Sequence, residues 1–381
     1  MRIQYLLSAV LILFCCTMVP AVSALDVEYA GGFSVIPGEG FSILKVHPGG
    51  EKNHRNEITY FIIDRRRKDS TRIRQNLRNS YPGYSDLHFI EVPVDRFILL
   101  SSTFVPPFHY FQCEESIAGI DSIDNLYDTQ LKSRLKRKEV LEVGNGPALN
   151  LELVLAARPK LVMVNLIEGE WNMVPRLEAA GVPVVVNGDY LESSPLGRAE
   201  WMKFFGLLLG REDEAQRRFD LLKERYQSLS AAAGRTDNRP SVTLNIPLTG
   251  SWVVPGGESY MAAFLKAAGA DYLWKDSGSS SSLILDGETA FSRSVAADIW
   301  LHQYGIRSLA ELAAVDGRFT RIKAFRNGQV INNDARTSSS GSNDFYESGP
   351  YQPDLILADL ISIFQPELFP EHTLYYYRYL E

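Results

Sequence analysis

Short, unbroken apolar runs alternate with amphipathic stretches over most of the chain. Phe97-Ile98-Leu99-Leu100 and Leu161-Val162-Met163-Val164 are continuous, as strands buried on both faces should be, and Val182 to Val186 repeats the pattern. Helical stretches at 149–157 and 172–180 lie between them. Ala180-Gly181-Val182-Pro183 stops the second with glycine and then proline. The rhythm restarts after residue 240, with strands expected at 242–245, 297–301 and 329–332 and helices at 260–268 and 353–364. Strands alternating with helices predict parallel, helix-covered sheets. Before residue 67 the pattern has period two, in Phe41, Ile43 and Thr59 to Ile63. Gly31-Gly32, Pro37-Gly38 and Pro48-Gly49-Gly50 punctuate it, so antiparallel hairpins are expected there. Residues 68–89 are polar and weakly patterned and predict an irregular loop.

Between the two rhythmic regions the periodicity is helical. Pro195 suits the first turn of a helix running to about Leu209, and Gly210 stops it. Glu212-Asp213-Glu214 then place negative charge where the next helix dipole favours it. Ala215, Phe219, Leu222, Tyr226 and Leu229 mark one apolar face of that helix, which is expected to run to Ala232 and span about 30 Å. The fold class that follows is α/β: two Rossmann-like lobes with mostly parallel central sheets, joined by a single long backbone helix, plus N-terminal β-hairpins. The lobes are expected at 25–190 and 240–381, with connecting helices at 191–239.

The first 24 residues read differently. Arg2 precedes an apolar stretch from Tyr5 to Cys16, and Val22-Ser23-Ala24 supplies small residues suited to signal cleavage. The stretch is too short to span a bilayer, so a signal peptide and a periplasmic product are expected. The alternative is lipid attachment at Cys15 or Cys16, which Phe14 disfavours because a small residue normally precedes the modified cysteine. Beyond residue 24 the one cysteine is Cys113, which excludes an internal disulfide. With 46 acidic against 39 basic residues the net charge is -7, and no clustered basic face suits a nucleic acid.

Catalytic constellations are missing. The chain holds no G-x-x-x-x-G-K-[ST], no G-x-G-x-x-G after a strand and no G-x-S-x-G turn. Its six histidines show no i, i+4 zinc spacing. His109 and Cys113 read as a structural pair, and Tyr375-Tyr376-Tyr377 as packing near the C-terminus, since adjacent side chains diverge. No enzyme activity, resident cofactor or direct metal ligation is expected. What remains is loop chemistry: Ser101 to Phe104, Asn165 to Trp171, Thr249 to Trp252 and Asn332 to Tyr346 combine aromatic, amide and hydroxyl groups after strand ends. Ligands bind at such edges of open α/β sheets.

Several stretches resemble the substrate-binding proteins of iron-siderophore, haem and cobalamin ABC importers. They are PVDRFILLSST, CEESIAGID, EVGNGPALNLELVLAARPKLVMV and LEAAGVPVVV in the first lobe. The second adds GSWVVPGGESYMAAFLKAAGADYLW, FRNGQVINNDAR and PDLILADLISIFQPELFPEH, so the resemblance runs over residues 90–375. Lys160 departs from the Asp usual before the strand of that family. The resemblance implies a monomeric receptor that captures an iron complex between its lobes. It would deliver that complex to an inner-membrane permease dimer with its ATPase. Cobalamin, haem or a bare metal ion are the alternative ligands. The expected ligand contacts are Ser102, Thr103, Phe104, Asn145 and Trp171 on one side and Trp252, Tyr260, Arg336 and Tyr346 on the other, with Arg336 meeting an anionic oxygen of the chelate. Glu152 and Glu288, one per lobe, match the acidic residues that dock the permease in that family.

Overall fold

The computed structural model describes residues 25–47, 57–165, 173–248 and 250–381. The expected signal segment and Trp171 lie outside the described residues. Within them the strands form four sheets. The first holds β1 (Phe33–Pro37), β2 (Phe41–Val46), β3 (Ile58–Asp64) and β4 (Phe89–Val92) in that order. β1, β2 and β3 pair antiparallel, as the period-two pattern predicts, but β3 and β4 are parallel. A parallel pair needs a crossover, and the helix Ser70–Ser80 supplies it where an irregular loop was expected. Only Ile73 and Leu77 of that helix are buried, a single i, i+4 row too sparse to read in isolation. They pack with Phe61, Ile63 and Phe89, while Tyr60 and Ile62 of the same strand face the main core. Thus β3 is buried on both faces.

The second sheet is fully parallel, in the order β7-β6-β5-β8-β9. Its strands are β5 (Phe97–Leu99), β6 (Ile117–Ile120), β7 (Leu141–Glu142), β8 (Leu161–Asn165) and β9 (Val184–Asn187). From β5 the chain builds outward to one side, then returns and builds to the other. That reversal opens a crevice at the carboxyl ends of β5 and β8.

The second lobe adds β10 (Ser241–Leu244), β11 (Pro247–Leu248), β12 (Ser251–Val254), β13 (Asp271–Tyr272), β14 (Leu283–Asp286), β15 (Ile299–Leu301), β16 (Val330–Asn332) and β17 (Arg378–Tyr379). β13-β10-β15-β16 are parallel, with β17 antiparallel at the edge, and β11-β12-β14 form a small antiparallel sheet.

The connection between the lobes is helical. The stretch expected as one helix is broken at Trp201 into Pro195–Glu200 and Met202–Leu209. Gly210 follows at φ 65°, a left-handed stop that glycine adopts freely. The helix Glu212–Ala233 then runs its 22 residues, burying Ala215, Phe219, Leu222 and Tyr226 against Met202–Leu209 and Pro353–Phe364. A Cβ on Gly206 would lie 2.5 Å from the Ala215 Cβ, so glycine sets how closely the two connecting helices approach. Two buried carboxylates then fasten the segment ahead of β1. Glu200 accepts the backbone N–H of Glu28, Tyr29 and Ala30, and Glu192 accepts those of Gly31 and Gly32. Lys203, itself buried, neutralises Glu200 at 2.8 Å. None of the described helices is long and apolar enough to cross a membrane.

Candidate ligand-binding cleft

A cavity of about 450 Å³ opens between the lobes, at the carboxyl ends of the parallel strands. Each strand of the first lobe's sheet from β5 to β8 contributes the residue at or just past its end. Leu100, Ser101 and Ser102 follow β5, Asp121 follows β6, Asn145 lies past β7, and Asn165 ends β8. The opposite wall is the segment after β16, from Ser340 to Asn343 with Tyr346 and Glu347.

The first wall is held by short local bonds. Ser101 caps the turn beside it, its hydroxyl accepting the Thr103 N–H at 3.3 Å. Asn145 donates to the Leu100 carbonyl at 3.2 Å and accepts the Gly146 N–H at 2.7 Å, so its amide is fixed on both sides. Asp121 is 4% exposed; one carboxylate oxygen accepts from the Asn125 amide at 3.0 Å, and Oδ1 has no partner. Burial pushes its carboxyl above the usual range. Asn165 Oδ1 is likewise buried without a partner.

The second wall is tied to the first. The Ser342 hydroxyl lies 2.9 and 2.8 Å from the carbonyl oxygens of Asp124 and Leu126. Glu347 accepts the backbone N–H of Tyr127 at 2.6 Å and of Asp128 at 3.0 Å. Burial, with Asp128 and Asp344 nearby, raises the Glu347 carboxyl to about 8. Lys132 crosses the same gap to donate to Ser340 at 2.9 Å. His109 does not pair with Cys113. It sits 3.0 Å from both Glu114 and Asp128, and Asp128 leads in raising it to about 8.

Of the residues expected at the ligand, Ser102, Asn145 and Tyr346 line this cavity. Tyr346 is 52% exposed, with its hydroxyl 3.3 Å from the Asn333 amide. Thr103 is in the same turn, half-buried, 2.9 Å from the Ser101 hydroxyl. Four of the expected residues lie away from the cavity lining. Phe104 is fully buried, with its ring against Phe205. Trp252 is also fully buried: its indole N–H donates to the Leu244 carbonyl, and its ring packs on Trp300 and Phe319. The residues taken for a loop are strand β12, whose alternation turns Trp252 and Val254 inward and Val253 out. Arg336 is engaged by Asp344 at 2.6 Å and stacked over Tyr375, so it offers no free charge to an anionic chelate. Tyr260 opens the helix Tyr260–Ala267 beneath the Arg198 guanidinium rather than lining the cavity.

Asp121, Asn125 and Glu347 were not singled out from sequence, whereas Asn165 and Ser342 fall in the candidate loops without being named as contacts. Asp121 had a usable signal, since it directly follows the apolar run Ile117–Ile120 that forms β6. Away from the cleft, Glu152 and Glu288 occupy matching places, each in the first turn of a helix capped by Asn150 or Asp286. Glu152 is exposed, whereas Glu288 holds Arg318 at 2.7 Å.

Comparison with known proteins agrees with this architecture. A solved structure of a possible iron-binding periplasmic solute-binding protein from Staphylococcus epidermidis is 19% identical. It superposes with a TM-score of 0.56, covering 72% of this chain and 99% of that one. The periplasmic heme-binding protein RhuT from Roseiflexus is 19% identical with a TM-score of 0.54 over the same shares. An uncharacterized lipoprotein of Methanocaldococcus jannaschii is 25% identical over 291 residues, 74% of this chain and 67% of that protein. A profile of the periplasmic binding protein family matches residues 112–337, more than half of the chain, including Asp121, Asn145 and Asn165 of the first wall and ending short of the second wall at 340–347. The chain therefore belongs to the periplasmic binding protein family, whose members bind solutes and are not enzymes.

Proposed function

We propose that this protein is an exported receptor that captures a metal complex, an iron chelate or a relative of one, in the cleft between its lobes and delivers it to an ABC permease with its ATPase. The observation that carries this reading is the cavity at the topological switch of the first lobe's sheet, walled on its other side by the second lobe. A volume of about 450 Å³ suits a compact chelate or organic ligand. The similar structures include a possible iron-binding protein and a heme-binding protein, which supports the ligand class. Residues 1–24 support export, and the lipoprotein relative supports lipid attachment at Cys15 or Cys16 as the form of anchorage.

Delivery assigns a role to Glu152 and Glu288. Their equivalent first-turn positions, one on each lobe, suit a two-fold permease that presents a cation to each. Calorimetric titration of the full chain with ferric chelates and haem, paired with reconstituted uptake, tests both parts. Asn145→Ala and Tyr346→Ala, one from each wall, should each weaken binding of the complex that the wild type takes. Glu152→Arg with Glu288→Arg should spare binding and abolish stimulated uptake. Unchanged affinity in both wall variants would remove the cleft from the account, and normal uptake with both glutamates reversed would remove the docking role.

A further inference from the structure

The two walls differ in what they leave unbonded, and this bears on the charge of the ligand. Asp121, Asp124 and Glu347 bring carboxyl groups to the cavity, and no lysine, arginine or histidine is among its described lining residues. Two cations on adjoining elements are already bonded. Arg336 is clasped by Asp344, and Lys132 donates to the hydroxyls of Ser338 and Ser340. Two buried atoms of the lining lack partners, Asp121 Oδ1 and Asn165 Oδ1, and both are acceptors. A buried acceptor without a donor is costly, and the cost is recovered when a ligand brings one. An anionic ligand brings further acceptors to a lining whose unbonded atoms are already acceptors.

We infer that the cleft selects a metal complex that presents hydrogen-bond donors and carries no net negative charge, with Asp121 Oδ1 and Asn165 Oδ1 as the groups that read the donors. This rests on the receptor reading above and narrows it. Neutral or cationic complexes, such as hydroxamate chelates bearing amide N–H or ammonium groups, fit the pattern. Tris-catecholates and carboxylate-bearing ligands do not.

The test is calorimetry on the full chain with three probes: the cationic ferric complex of desferrioxamine B, the neutral complex ferrichrome and the trianionic ferric enterobactin. The cationic or the neutral complex should bind at least tenfold more tightly than the trianionic one. Asp121→Asn can keep its bond to Asn125 through its carbonyl and turn its amide toward the cavity, replacing the orphaned acceptor with a donor. It should lower affinity for the preferred complex about tenfold or more and narrow the gap to the trianionic one. Thermal unfolding checks that the variant folds, and Asn165→Ala, expected to weaken the same complex, provides an independent arm. Preference for ferric enterobactin, or an unchanged ratio between probes in both variants, overturns the inference and leaves the metal-complex reading standing. Binding of none of the three overturns the inference, and if haem also fails to bind, the metal-complex reading falls with it.

Discussion

The two walls of the cleft are built from similar residues and do different things. On the first-lobe side, Asp121 and Asn165 are positioned by strand ends and keep buried acceptors unbonded. On the second-lobe side, Ser342 and Glu347 direct their polar atoms across the gap to the backbone of residues 124–128. Both walls are polar, but one has bonding capacity to offer a ligand and the other has used it to hold the lobes in register. Polarity therefore identifies a cleft, whereas the partners already taken identify which wall recognises and which one latches.

The sharpest way to break that distinction is to substitute residues that were expected in the cleft and lie outside it. Trp252→Ala empties a fully buried site packed by Trp300 and Phe319. It should cost about 3–5 kcal/mol of stability. Affinity at a temperature where the variant stays folded should be unchanged. A large loss of affinity with intact stability would return Trp252 to the ligand.

A smaller effect is expected at the latch. Glu347→Ala leaves the Tyr127 and Asp128 N–H groups without their acceptor, which should destabilise by about 2–3 kcal/mol. The same latch predicts a pH dependence. Glu347 is raised to about 8, so its contribution to stability is complete below its ordinary value of 4.5 and is lost as pH rises through 8. His109, raised from 6.5 to about 8 beside Asp128, follows the same sign and loses its contribution between those values. Melting temperature should fall as pH rises from 6.5 through 8, and Glu347→Gln should flatten the slope. A melting temperature that rises over that interval would contradict the latch.

Much of the scaffold was legible in the pattern because it depends on local periodicity. The Glu212–Ala233 helix was read to within one residue at its end, and Pro353–Phe364 without error, because each presents a long, regular apolar face and a clear start. The Ser70–Ser80 helix was missed because two buried side chains give too little periodicity and a neighbouring sheet supplies the rest of its apolar surface. The anchoring of residues 28–32 by Glu192 and Glu200 joins positions about 160 to 170 apart, which no window of sequence contains. The site was readable in outline for a topological reason: parallel strands place their following residues at one edge, so Ser102 and Asn145 could be named. Which aromatic faces that edge was not readable. Trp252 and Tyr346 both follow strand ends in glycine- and serine-rich stretches, and only packing distinguishes the buried ring from the exposed one.

The most direct measurement of the central claim, that the ligand sits between these two walls, is amide hydrogen exchange on the full chain with and without the complex that calorimetry shows to bind. The account predicts slowed exchange at 100–103, 121–128 and 338–347 together, since a ligand in the cavity touches both walls and stabilises the bonds between them. Protection confined to one wall, or to segments outside the cleft, would contradict it.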